Sequence, residues 1–170
     1  MIDINPSLYI SDKIKTEEEI IGIADKLKRD GKKIGLCIGG YDLLHPGQMT
    51  HLRSAHKFCD ILIVGITSDK FNSERKGSCR PIYGEYLRAF SISQLNSVDF
   101  VFISKYRTAV EPIINIEPTF YIKGLDYRNK NTPGISAERE AIKSVDGEIK
   151  YTEDEKLSTT DIIRYIKENL

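Results

Sequence analysis

The chain has 170 residues, with 25 basic and 25 acidic side chains and a formal net charge of +0. Hydrophobic residues make up 40% and charged residues 29%, which excludes a disordered or fibrous chain and fits one compact domain. The even charge balance speaks against a protein that coats nucleic acid or an anionic membrane, yet it leaves room for a local basic pocket for one phosphorylated small molecule.

No apolar run approaches the roughly 20 residues that cross a bilayer. The opening run Met1-Ile2-Asp3-Ile4-Asn5-Pro6 lacks the basic-then-apolar layout of a signal peptide. The three cysteines, Cys37, Cys59 and Cys79, are far apart and form no C-x-x-C pair. A cytoplasmic protein with reduced thiols is expected, without a zinc ribbon or disulfide framework.

In chain order, residues 17–30 read as a helix, because Thr16 and Glu19 make a capping box and Gly31 supplies the stop. Residues 33–38 form the first expected strand. Pro46 stands where a first-turn proline is welcome and opens a helix to about residue 58. The continuous apolar run Ile61-Leu62-Ile63-Val64 marks strand 61–66 as covered on both faces. Helix 86–95, strand 99–103, helix 109–116, strand 119–122, helix 137–145, strand 148–151 and helix 161–169 follow, with Ser158 and Asp161 repeating the capping signature at the last. No repeat, low-complexity tract or linker divides the chain.

This alternation predicts an α/β fold: a Rossmann-like, doubly wound, five-stranded parallel sheet with helices on both faces. Residues 1–170 then form a single domain, with 1–31 as an N-terminal extension and helix packed on it. Ligands of such sheets lie beyond the carboxyl ends of the strands, where strand order reverses. That rule points to the loops after Ile38, Ile66, Ile103 and Ile122.

Three of the segments at that edge carry chemistry. After the first strand stands Gly39-Gly40-Tyr41-Asp42-Leu43-Leu44-His45-Pro46-Gly47-Gln48. Its glycines let a ligand approach the backbone, and the helix opening at Pro46 aims unpaired N–H groups at the same space. His45 and Gln48 are hydrogen-bond donors placed for phosphate oxygens. The G-x-G-x-x-G spacing of a dinucleotide site is absent, as is a Walker A loop. The three histidines, His45, His51 and His56, lack metal-ligand spacing, and His51 and His56 read as residues of a solvated helix face.

The second segment, Arg75-Lys76-Gly77-Ser78-Cys79-Arg80-Pro81-Ile82 with Arg88 beyond it, reads as a charged loop that brings cations to the ligand edge. Nothing beside Cys79 marks a nucleophile. The third comprises Lys123-Gly124-Leu125-Asp126-Tyr127 and, later, Ser158-Thr159-Thr160, whose hydroxyls open a helix.

The first segment resembles the G-x-F-D-x-x-H-x-G-H signature of the cytidylyltransferase-like nucleotidyltransferases, with Gln48 where that family has its second histidine. The K-G-x-x-R-P-I run, K-G-x-D-Y and S-T-T resemble the heptose-phosphate branch, nearest to the adenylyltransferase domain of ADP-heptose synthesis. The branch's second glycine is here Leu125. The resemblance spans roughly residues 33–170.

It implies an enzyme that transfers a nucleoside monophosphate from ATP or CTP to a phosphorylated small molecule such as heptose 1-phosphate, releasing pyrophosphate. Glycerol 3-phosphate, or another small phosphate or phosphonate with a cytidylyl donor, is the alternative; so is nucleotide binding with little turnover, because Gln48 cannot become cationic. It implies catalytic roles for His45, Gln48, Lys76 and Arg88. Nucleotide contacts fall to Gly39, Gly40, Tyr41, Asp42, Gly47, Lys123, Gly124, Asp126, Ser158, Thr159 and Thr160, and acceptor contacts to Arg80 and Tyr127. Mg2+ arrives with the NTP and no metal is held by the protein alone; the partners are these small molecules and a second copy in a homodimer, with no nucleic acid and no membrane.

Overall fold

The computed structural model describes residues 5, 8–76, 80–155 and 157–169, without the side chains of residues 75 and 76. Five parallel strands form one sheet: β1 (Ile34–Gly39), β2 (Ile61–Thr67), β3 (Phe100–Ser104), β4 (Phe120–Gly124) and β5 (Glu148–Thr152), in the order β3-β2-β1-β4-β5. The chain winds outward from β1 to β3, then crosses back to lay β4 on the other side of β1. The crevice between β1 and β4 is therefore the topological switch point.

Alternation along the buried strands divides the core between the two faces of the sheet. Leu36, Ile63, Phe102 and Tyr121 meet α1 (Glu17–Arg29), α5 (Val110–Ile116) and α6 (Pro133–Ser144) through Ile20, Ala24, Ile113, Ile116 and Ile142. Cys37, Leu62, Val64 and Ile122 face the other way, toward Leu52 and Ala55 of α2 (Pro46–His56) and Ala89 and Ile92 of α4 (Glu85–Ser93). Two apolar faces buried under helices are what continuous aliphatic strands require. The doubly wound α/β fold is as expected.

Local chemistry sets the element ends. Thr16 Oγ1 accepts from Glu19 N at 3.1 Å, and Glu19 returns a carboxylate to Thr16 N at 2.7 Å, so the capping box of α1 is complete. Ahead of α1, Ile14 bridges Val101 in parallel, and Lys13 Nζ donates to the carbonyls of Leu95 and Val98, so this segment covers the open edge of β3.

Besides shifts of one or two residues at helix ends, the structure departs from the sequence expectation in three ways. Each strand runs one or two residues further toward its carboxyl end, because the parallel ladder continues past the apolar run. Helix α6 starts at Pro133, four residues ahead of residue 137, on a Thr132 cap whose Oγ1 accepts from Ile135 N at 3.4 Å. The segment after β2, read as a charged loop, begins as helix α3 (Asp69–Lys76). Helix α7 (Thr159–Asn169) completes the order. Among the described residues no helix is long and apolar enough to cross a membrane.

Candidate functional site

A cleft of about 1080 Å³ opens over the carboxyl ends of the strands, reaching from Ile38 on β1 to Thr159 on α7. Its floor is the turn after β1. Tyr41 adopts φ 43°, a left-handed backbone that reverses the chain directly after Gly40.

Two guanidinium groups hold this turn from beneath. Asp42, fully buried, accepts from Arg80 Nε and from the backbone N–H of Ile82. Arg88 is 1% exposed, and all three of its nitrogens donate inward. Nη1 reaches the Gly40 carbonyl, Nη2 reaches Thr67 O and Asp69 Oδ1 at 2.8 Å each, and Nε reaches Tyr83 O at 3.0 Å. Asp69 and Glu85 cap each other's backbone N–H at 3.1 and 2.7 Å, which ties α3 to α4. A buried cation is tolerable only when its donors are matched, and here a carboxylate and three carbonyls match them.

Above the turn, His45 is the N-cap residue of α2 and is 4% exposed. Gln48 follows in the first turn, with its amide oxygen enclosed and without a hydrogen-bond partner. A Cβ placed on Gly47 would lie 2.8 Å from Leu157 Cβ and 3.3 Å from the His45 ring. Glycine is thus required for the start of α2 to approach the start of α7. At that second start, Ser158 Oγ accepts from Asp161 N at 3.1 Å and donates to its carboxylate at 2.5 Å. Two helix N-termini therefore face one space, each with the partial positive charge that favours anions.

His51 also lines the cleft, with Nδ1 2.8 Å from Thr152 Oγ1 and Nε2 3.9 Å from Cys37 Sγ. Burial lowers its pKa below the ordinary 6.5, so it is a neutral ring at pH 7 and adds no cation beside Gln48. Burial likewise pushes the Cys59 thiol up to about 12 and that of Cys37 higher still, which leaves both inert as nucleophiles.

On the β4 side, Lys123 pairs with Glu138 at 2.5 Å and donates to Tyr121 Oη at 3.2 Å, with side-chain exposures of 9% for the lysine and 14% for the glutamate. Its ammonium also lies 4.3 Å from the Tyr127 ring centre and 5.0 Å from that of Tyr121. Desolvation lowers the lysine pKa and the Glu138 carboxylate opposes that shift. Among the described residues no three His, Cys, Asp or Glu side chains gather as a metal site.

The cleft brings together Gly39, Gly40, Tyr41, His45, Gly47, Gln48, Lys123, Gly124, Asp126, Tyr127, Ser158 and Thr159. Asp42, Arg80 and Arg88 stand behind its wall, and Thr160 is an exposed residue of α7 outside it. The Lys76 side chain and Cys79 lie outside the described residues. Lining residues that the sequence reading passed over include Thr67, Tyr106, Arg107, Thr108, Tyr121 and Glu138. The strand-end rule alone reaches the first four, since Thr67 ends β2 and the other three follow β3; Glu138 gave no local signal.

Residues 36–165 match the family model described as Cytidylyltransferase-like. The chain belongs to this family. It is accordingly a nucleotidyltransferase, and the family's match covers every part of the cleft from β1 to α7.

Among curated relatives, the bifunctional protein HldE of Aliarcobacter butzleri (strain RM4018) is 39% identical over 158 residues, which is 92% of this chain and 31% of that protein. The HldE of Campylobacter fetus subsp. fetus (strain 82-40) is 37% identical over 155 residues, 89% of this chain and 32% of that protein. The nucleotidyltransferase thus spans about a third of the length of these relatives. Among solved structures, a lipopolysaccharide core biosynthesis protein from Thermoplasma volcanium GSS1 superposes with a TM-score of 0.59 at 23% identity, over 75% of this chain and all of that one. The pantoate-beta-alanine ligase of Francisella tularensis gives 0.58 at 15% identity, over 92% and 77%. Both likenesses concern the fold.

Proposed function

We propose that this nucleotidyltransferase moves a nucleoside monophosphate from ATP or CTP onto a sugar phosphate of the heptose 1-phosphate kind and releases pyrophosphate. The observation that carries this reading is the convergence of the glycine turn, the α2 start with His45 and Gln48, and the α7 start with Ser158 and Thr159 on one cleft. The relatedness to HldE over nearly the whole chain supports the sugar-phosphate acceptor.

In this reading an acceptor phosphate oxygen attacks the α-phosphorus, a new P–O bond forms, and the bond to the β-phosphate oxygen breaks with its electron pair leaving on pyrophosphate. No covalent enzyme intermediate is needed; positioning and electrostatic stabilisation supply the rate. His45 and Gln48 donate to the triphosphate and the departing charge, Ser158 and Thr159 hold nucleotide phosphates, and Lys123 and Asp126 line the nucleotide side with Gly124. Magnesium enters as part of the MgNTP substrate, since this ion binds through phosphates and few protein ligands.

Gln48 favours a second reading, a nucleotide-binding protein of low turnover. An amide still donates to an oxyanion but cannot become cationic; deleting such a donor altogether costs about 2.7–4 kcal/mol in oxyanion sites, which bounds from above what the missing charge costs here. Pyrophosphate release measured with ATP and CTP against a panel of sugar phosphates and glycerol 3-phosphate separates the two. Release with a sugar phosphate supports the transferase reading, whereas nucleotide binding with no release above background overturns it.

A further inference from the structure

Charge is distributed unevenly around the cleft. From the β4–β5 side five carboxylates line it, those of Asp126, Glu138, Glu153, Asp154 and Glu155; Lys123 pairs with Glu138, Lys130 with Asp126 and Arg128 with Glu153, so this side still carries more carboxylates than cations. From the β2–β3 side the charged lining side chain, among the described residues, is Arg107, with Thr67, Tyr106 and Thr108 beside it.

The other described arginines near that side are spent within the protein, Arg80 on Asp42 and Arg88 on Asp69 and three carbonyls. Arg107 differs, because its side chain is 75% exposed and its ion pair is with Glu74 at 3.3 Å, itself 39% exposed. Water and salt screen such a pair, so the guanidinium is available to a better partner. The loop that carries it is held: Tyr106 N donates to Ser104 Oγ, Asn115 donates to the Tyr106 hydroxyl, and Val110 N donates to Thr108 Oγ1.

We infer that Arg107 recognises the anionic group of the acceptor, and that the two substrates divide the cleft, nucleoside toward β4–β5 and phosphorylated acceptor toward β2–β3. This rests on the transferase reading above. A dianionic phosphomonoester is repelled by the carboxylate-rich side and drawn to the guanidinium, whose fork matches phosphate oxygens. Ribose hydroxyls and an amino-bearing base are neutral donors that carboxylates accept. The end of β3 lies two strand spacings, roughly 10 Å, from the end of β1. An acceptor held at Arg107 therefore lies alongside a polyphosphate gripped at the β1 turn.

Initial rates of pyrophosphate release by the wild type and by Arg107→Gln, Arg107→Glu and Arg107→Lys test this. Loss of a charge-assisted hydrogen bond predicts an acceptor KM raised about tenfold by Gln and about a hundredfold by Glu, with Lys between wild type and Gln and the NTP KM within about twofold. An acceptor KM unchanged in Arg107→Glu, or an NTP KM that rises equally, overturns the inference. Calorimetric titration of glucose 1-phosphate, with glucose as the uncharged control, reads the same contact without turnover. Affinity for the phosphate ester lost in Arg107→Glu supports it, while equal affinity, or no binding by the wild type, overturns it. A wild type that binds the ester through Arg107 yet releases no pyrophosphate with any pair defeats the transferase reading, and with it the acceptor role, while the phosphate contact of Arg107 stands.

Discussion

Arg88 is the side chain on which the cleft's floor depends most, and its removal has a calculable cost. Arg88→Met keeps most of the bulk and deletes every donor. Asp69 then loses its cation, and the carbonyls of Gly40, Thr67 and Tyr83 lose their partner. Breaking a buried pair by removing one member costs about 3–5 kcal/mol. The Asp69 side chain is 27% exposed and still caps Glu85 N, so water recovers part of its share. The orphaned carbonyls add about 1 kcal/mol each where water cannot reach them. These contributions overlap, and a loss of about 4 kcal/mol is expected, a large part of the 5–15 kcal/mol that stabilises a typical domain. In urea this lowers the unfolding midpoint by about 2 M at a slope near 2 kcal/mol/M. Arg88→Lys keeps the charge without the fork and loses about half as much. A midpoint for Arg88→Met within about 0.5 M of wild type refutes the bracing role. So does intact stability combined with abolished pyrophosphate release, which would make the guanidinium a substrate contact.

Three other outcomes are expected. Gln48→His preserves or raises the rate of pyrophosphate release, by about tenfold or more if a cationic donor is what the site lacks; a large loss would show a pocket built around the amide. Gly47→Ala drives a methyl group against Leu157 and weakens NTP binding about tenfold, and Leu157→Gly in the same chain restores it, as read by calorimetry. No rescue would mean that the two helix starts do not share the ligand. For His51 the folded pKa lies below the unfolded 6.5, so the unfolded chain binds the extra proton as pH falls. Its contribution is present above pH 6.5 and is lost on acidification, at up to about 1.4 kcal/mol per pH unit. Urea midpoints between pH 7.5 and 5 should fall less in His51→Gln than in wild type; equal slopes would assign the loss to other groups.

Much of this molecule is legible in its residues, and the rest is hidden for physical reasons. Ile61-Leu62-Ile63-Val64 and the Thr16–Glu19 box declare their elements because periodicity and capping are local. Helix α3 was hidden because its residues other than Phe71 are polar and Asn72 is its one fully buried side chain among those described, so no apolar stripe announces it. The run around His45 announced the cleft because the turn, the cap and the helix start are contiguous. Arg80 and Arg88 announced only their charge. Whether a cation faces the ligand or the interior depends on acceptors brought by folding, and Arg88 finds Gly40 48 residues away. Arg107 and Glu138 stayed unremarked for the converse reason, since each stands among other charged residues on the chain and only the strand order sets it at the rim.

The approach of Gly47 to Leu157 has a consequence for synthesis. A chain emerging from the ribosome completes the glycine turn early, yet the opposing jaw is missing until the residues from Leu157 onward have been made. In the proposed function, nucleotide would then act as a clasp between the starts of α2 and α7, adding stability that grows with the logarithm of its concentration. Newly made molecules should therefore resist proteolysis near α7 only once α7 has been made and nucleotide is bound.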